Sequence, residues 1–175
     1  MDVKKVFIVL NRVLEERGLE REIIICGGAA LIALGILSRQ TRDVDVLDPK
    51  IDDELRAISD DLAASLGLRK GWLNNGPAVL TKEMATGWES RCIEVFNGSN
   101  LIVKSIGRSD LIFSKLYATC DRVDDLDDLL QLKPSLQELE TAKELVLQMD
   151  ASAIWPKIVN EALEELKQRM GYGKN

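Results

Sequence analysis

The chain has no histidine. That absence removes Ser-His-Asp triads, Cys-His pairs, histidine-ligated zinc and histidine general bases, so any catalysis rests on carboxylates, lysine or metal. Cysteine is also scarce: Cys26, Cys92 and Cys120 lie far apart and lack CxxC spacing, which suggests neither a disulfide framework nor a structural zinc site. All three are expected as buried free thiols. Long apolar runs are missing as well. Val6 to Leu10, flanked by Lys4, Lys5 and Arg12, is too short for a signal segment or a membrane span, so a cytoplasmic protein with no membrane partner is expected. Positive charge is not in excess; a net charge of −6 argues against a broad basic surface for nucleic acid and leaves room only for a small local basic pocket.

What remains is an ordinary globular composition, 46% hydrophobic and 30% charged over 175 residues, enough for one compact α/β unit with a helical appendage. No internal repeat or low-complexity segment interrupts it. Val3, Val6, Phe7, Leu10, Val13 and Leu14 recur at helical spacing, with Gly18 as the stop. Glu22 to Cys26 is a β-branched run broken by Gly27-Gly28, which reads as a buried strand ending in a tight turn, and Ala29 to Leu37 reads as an apolar helix. From Arg39 to Leu47 the pattern alternates, with a strand expected over Arg42 to Leu47 and a stop at Asp48-Pro49. Leu55, Ile58, Leu62 and Leu66 mark another amphipathic helix closed by Gly67.

Arg69 to Ser90 is the least regular stretch and reads as loop with at most one short element. Arg91 to Phe96 and Leu101 to Ile106, on either side of Asn97-Gly98, form a candidate hairpin, bringing the expected strands to about four. Helices follow: one from Ser109 through Cys120, one near Leu126 to Leu130, one after Pro134 and one around Ile154 to Met170. The expected organisation is an α/β (α+β) core over 1–107, a small mixed sheet flanked by helices, with a helical region over 108–175 packed on it. Trp72, Trp88 and Trp155 are read as packing anchors.

The chemistry-bearing residues begin with Asp43 and Asp45. Carboxylates at i and i+2 on a strand point to one face, roughly 7 Å apart along the backbone, so their oxygens can converge on one cation. Mg²⁺ wants such hard ligands and takes one or two protein carboxylates together with substrate phosphates. Arg39 and Thr41 share that face, where a guanidinium can hold phosphate oxygens and a hydroxyl can order a carboxylate. Gly27-Gly28, just before a helix, lets backbone approach a phosphate closely, although a plain turn is the commoner use of such a pair.

Cys26-Gly27-Gly28-Ala29-Ala30-Leu31 followed by Arg39-x-Thr41-x-Asp43-x-Asp45 resembles the nucleotidyltransferase superfamily, nearest the AbiEii-like toxin branch. Lys115-Leu116-x-Ala118 and Arg122-x-x-Asp125-Leu126-x-Asp128-Leu129 are similar to the later motif of that branch, so the likeness runs from about residue 22 to 130. Trp72-Leu-Asn-Asn-Gly76 is similar to a stretch in small uncharacterised relatives. The resemblance implies that Asp43 and Asp45 hold Mg²⁺ or Mn²⁺, that Lys115 neutralises a nucleoside triphosphate, and that Asp125 or Asp128 positions Lys115 or another site group. Asp125 ranks first for its register with Arg122. It also implies a third carboxylate on a neighbouring strand, for which Glu94 is the candidate, standing where the usual residue is Asp.

Read from the residues alone, Lys115 in its apolar helix either snorkels or meets an anion, Glu94 lies on a site face or a solvent face, and Asp124, Asp125, Asp127 and Asp128 fit a solvated helix face. The implied activity is transfer of a nucleotide to an acceptor hydroxyl on RNA, protein or a small molecule, in a toxin silenced by an antitoxin protein. Two alternatives stand beside it: a catalytically degenerate module that binds nucleotide or partner, and an antibiotic-modifying nucleotidyltransferase, whose cationic acceptor the negative charge would suit.

Overall fold

The computed structural model describes residues 1–121 and 126–172. The chain divides into two compact units, Met1–Lys82 with Gly87–Gly107, and Glu83–Thr86 with Arg108–Asn175. The first contains α1 (Val3–Glu16), β1 (Arg21–Cys26), α2 (Gly27–Ala33), β2 (Val44–Asp48), α3 (Asp53–Leu66), β3 (Leu73–Asn74), two 3₁₀ turns (Gly76–Lys82 and Trp88–Arg91), β4 (Ile93–Asn97) and β5 (Leu101–Ser105). The second contains α4 (Arg108–Asp121), α5 (Leu126–Leu132), α6 (Leu136–Leu147) and α7 (Trp155–Arg169). This is the mixed α/β class with a helical C-terminal region that the residue pattern predicts.

The sheet runs β3-β2-β1-β5-β4. β1 is antiparallel to β2 and parallel to β5, and Ile23 and Ile25 on it are sealed from solvent. Ile23 and Ile25 share the fully buried face of this central strand, while Ile24 on the opposite face is half-buried. α1 buries Val3, Val6, Phe7, Leu10 and Leu14, the stripe that the helical spacing marks. Asn11 on the same helix accepts from the backbone N–H groups of Asn100 and Leu101 at 2.9 Å each, which ties α1 to the β4–β5 hairpin.

Three sequence expectations change. The sheet has five strands among the described residues, because Leu73–Asn74 pairs in parallel with Val44 and Asp45 at its edge. A two-residue strand has no periodicity to detect, and it exists here through its ladder with β2. The helix after the glycine pair starts at Gly27 and stops at Ala33, where the chain folds over and Ile36 N–H donates to Leu31 O at 2.9 Å. β2 starts at Val44, so residues 39–43 approach it as irregular chain.

The helical unit follows its predicted spans closely. α6 opens on a capping box in which Ser135 and Glu138 satisfy each other's backbone N–H groups. Arg108 also donates to Glu138 at 2.7 Å, and this bond, with the capping interactions, holds the Glu138 carboxyl down to about 2. Trp155 donates from Nε1 to Val146 O at 2.7 Å and packs edge-on to Tyr117, while Trp72 donates to Ser59 O at 2.8 Å. All three tryptophans are buried anchors, as expected. Of the free cysteines only Cys26 is buried; Cys92 and Cys120 are half-buried, though burial is still enough to push the Cys120 thiol up to about 11. Among the described residues no helix is long and apolar enough to cross a membrane.

Candidate functional site

The site is built where β1 ends. Cys26, its last residue, sits opposite Asp45 on β2, so the glycine pair that follows emerges beside the carboxylates. Gly27 has φ +67°, and a Cβ placed there would lie 2.7 Å from Asp45 Oδ2, closer than side-chain carbons come to oxygen. Any other residue would push that carboxylate away. At Gly28 a Cβ would stand 3.5 Å from an Arg39 guanidinium nitrogen and 3.6 Å from Thr41 Oγ1. Gly27, Gly28, Arg39, Thr41 and Asp45 are therefore brought together, although residues 39–43 are separated in sequence from the turn.

The alternation that singles out the two aspartates is present in the structure: Val44 and Val46 are fully buried while Asp43 and Asp45 are half-buried on the other side. Each carboxylate is held by neighbours. Thr41 Oγ1 donates to the Asp43 carbonyl at 3.2 Å and lies 3.5 Å from Asp43 Oδ1, while Arg69 donates to Asp43 Oδ2 at 3.0 Å. Asn74 Nδ2 donates to Asp45 Oδ1 at 3.1 Å, and its own Oδ1 accepts the Gly76 N–H at 2.7 Å. That second bond fixes which end of the amide faces Asp45.

Arg69 and Asn74 carry no sequence signal as site residues; they come from the irregular stretch between α3 and β4. The Trp72-Leu-Asn-Asn-Gly76 segment, however, now has a mechanical explanation. Trp72 and Leu73 are buried anchors, and Asn74 holds Asp45. Asn75 donates to Val46 O at 2.9 Å and Pro49 O at 3.2 Å and accepts from Ile51 N–H at 2.7 Å, clamping the end of β2. A Cβ on Gly76 would meet Asn74 Oδ1 at 2.9 Å, so glycine keeps that amide in place.

The other candidates are Glu94, Lys115 and Asp125. Glu94 is not on a strand beside the pair: β1 and β5 stand between β4 and β2, which puts the two strands about 14 Å apart at ordinary strand spacing. Glu94 is exposed, accepts from Asn97 Nδ2 at 3.0 Å and faces Lys104 across the hairpin. Lys104 bonds Glu22, which raises its pKa. Lys115 belongs to the helical unit, where it meets an anion instead of snorkelling: its ammonium is 2.8 Å from Asp128 Oδ2, and both side chains are buried. Asp125, with Arg122 and Asp124, lies outside the described residues.

Chemically, Asp43 and Asp45 present hard oxygens on one face, beside a glycine turn that comes close to the Asp45 carboxylate. No group of three or more acidic, cysteine or histidine side chains that could hold a metal occurs among the described residues. Two carboxylates nonetheless fit a magnesium ion that takes its other ligands from water and phosphate. Arg39 and Arg69 supply positive charge at the same place, which suits an anionic ligand better than a bare carboxylate pair would.

Residues 3–166 match the family described as nucleotidyltransferase of unknown function (DUF6036), and the chain belongs to that family. No curated protein and no solved structure matches it.

Proposed function

We infer that this member of the family is a metal-dependent nucleotidyltransferase, in which Asp43 and Asp45 hold Mg²⁺ or Mn²⁺ and the Gly27-Gly28 turn, with Arg39 and Thr41, receives a nucleoside triphosphate. The observation that carries the reading is how close the turn runs to the carboxylate: a Cβ built on Gly27 would stand 2.7 Å from Asp45 Oδ2, so glycine leaves that oxygen in place. A bound divalent ion would supply charge neutralisation and orientation of the phosphates. Asn74 holds the Asp45 carboxylate and Thr41 bonds the Asp43 carbonyl, which orients this part of the site before ligand entry. Arg39 offers a planar fork of donors to phosphate oxygens. The reaction joins the acceptor oxygen to the α-phosphorus as the bond from that phosphorus to the pyrophosphate oxygen breaks; pyrophosphate leaves and the hydroxyl proton passes to solvent.

The acceptor is an RNA, protein or small-molecule hydroxyl. Resemblance to the AbiEii-like branch supports a toxin restrained by an antitoxin protein, and this belongs to the same proposal. The place of Glu94 on β4, at the edge of the sheet three strands from β2, favours a second reading, a module that binds nucleotide without transferring it. Incubating the chain with each labelled triphosphate and cell extract, with and without Mg²⁺, separates the two. The transferase reading expects Mg²⁺-dependent label on an acceptor that Asp43→Asn abolishes. Triphosphate binding without label in any fraction would overturn it in favour of the binding module.

A further inference from the structure

Arg69 follows α3 on an exposed loop, yet its guanidinium lies 3.0 Å from Asp43 Oδ2. The contact is not forced by packing, since the arginine side chain is 59% exposed and the aspartate 33%. It differs from the bond that Asn74 makes to Asp45, where the donor sits on a paired strand and is itself locked by the Gly76 N–H. One aspartate of the pair is thus gripped by a fixed amide and the other by a long, solvent-facing cation. Thr41 approaches Asp43 through Oδ1 and the carbonyl, so Oδ2 is the oxygen that Arg69 covers.

We propose that Arg69 is a charge placeholder for Asp43: its guanidinium occupies Oδ2 until a divalent cation takes that oxygen, and once released it hydrogen-bonds the phosphates of the incoming triphosphate. The inference rests on the metal reading of Asp43 and Asp45. A guanidinium and a divalent ion on one carboxylate oxygen repel each other and compete for its charge, so each weakens the other's binding there. An exposed ion pair contributes at most about fivefold in affinity, so the arginine yields to the ion and does not block it. After release it remains within one side-chain length of Asp43, where its planar fork can grip phosphate in a way that a lysine ammonium cannot. Asp43 is thereby neutralised when the site is empty, and the same cation becomes a positioning group for the triphosphate when it fills.

The test uses the full chain with Mn²⁺ alone as the first probe, titrated by electron paramagnetic resonance, and a non-hydrolysable triphosphate in saturating Mn²⁺ as the second. Arg69→Ala is expected to bind Mn²⁺ about two- to fivefold tighter than the parent, because a competing cation is gone. It is expected to bind the triphosphate about tenfold or more weakly, because a charge-assisted bond is lost. Arg69→Lys should fall between the two on the triphosphate. Thermal melting of Arg69→Ala, expected to match the parent, keeps a folding defect from imitating either result. Mn²⁺ affinity that fails to rise, or triphosphate affinity that fails to fall, overturns the placeholder. Asp43→Asn separates the two levels of argument: if it binds Mn²⁺ as well as the parent, the metal reading falls and the placeholder with it. If it binds weakly while Arg69→Ala behaves as the parent, the placeholder alone falls.

Discussion

Two carboxylate–cation pairs in this protein have nearly the same length and opposite surroundings. Asp43 and Arg69, in the sheet unit, are 3.0 Å apart with side chains 33% and 59% exposed. Lys115 and Asp128, in the helical unit, are 2.8 Å apart with side chains 7% and 6% exposed. Solvent separates their roles. An exposed pair contributes about 0–1 kcal/mol and can be exchanged for another ligand, whereas removing one member of a buried pair leaves a charge that water cannot reach and destabilises by about 3–5 kcal/mol. The buried pair in the helical unit is shielded from exchange with solvent, while the pair in the sheet unit is open to it.

The largest effect expected from this contrast is at Lys115. Lys115→Met should lower stability by about 3–5 kcal/mol in denaturant unfolding, and Lys115→Met with Asp128→Leu should recover most of it, since an apolar pair needs no compensation. The double variant also tests the role implied by resemblance: transfer activity retained in a refolded double variant would make the pair structural, and activity lost with stability restored would give Lys115 a part in the chemistry. Asp45→Asn should behave in the opposite way. Turnover should fall by about 10²–10³-fold, as for other losses of focused charge stabilisation, with a melting temperature close to the parent's. A large stability loss there would erase the distinction between the two regions.

Gly27→Ala sharpens the comparison further within the sheet unit. Its positive φ alone should destabilise by about 1–2 kcal/mol, and the new Cβ must also displace Asp45 Oδ2. Gly18→Ala is the control, since Gly18 has φ +65° and nothing within 4 Å of the added carbon. Gly27→Ala should lose at least as much stability as Gly18→Ala, and only Gly27→Ala should weaken Mn²⁺ binding. The smallest effect is expected at Glu94. Glu94→Gln should change stability by less than about 0.5 kcal/mol and leave turnover alone, because the residue is exposed and its strand is three positions from β2. A hundredfold drop in turnover would restore it as a general base.

The amino-acid order by itself determined which residues share a face. Alternation puts Asp43 and Asp45 opposite Val44 and Val46, the β-branched run marks β1, and helical spacing marks the buried stripe of α1, because each of these is set by the geometry of a few adjacent residues. Arg39 and Thr41 do reach the glycine turn, but through irregular chain and not through the strand alternation that predicted their common face. Which strands become neighbours was not legible. β4 follows the site region in the chain yet ends at the far edge of the sheet, so Glu94, the candidate third carboxylate, is on a strand that does not neighbour β2. β3, Asn74 and Arg69 were missed because a two-residue strand and a loop cation have no period, and their partners lie 29 and 26 residues away. Partnerships at that range are set by which backbone groups and charges remain to be satisfied once the core has packed, and no local pattern records that outcome.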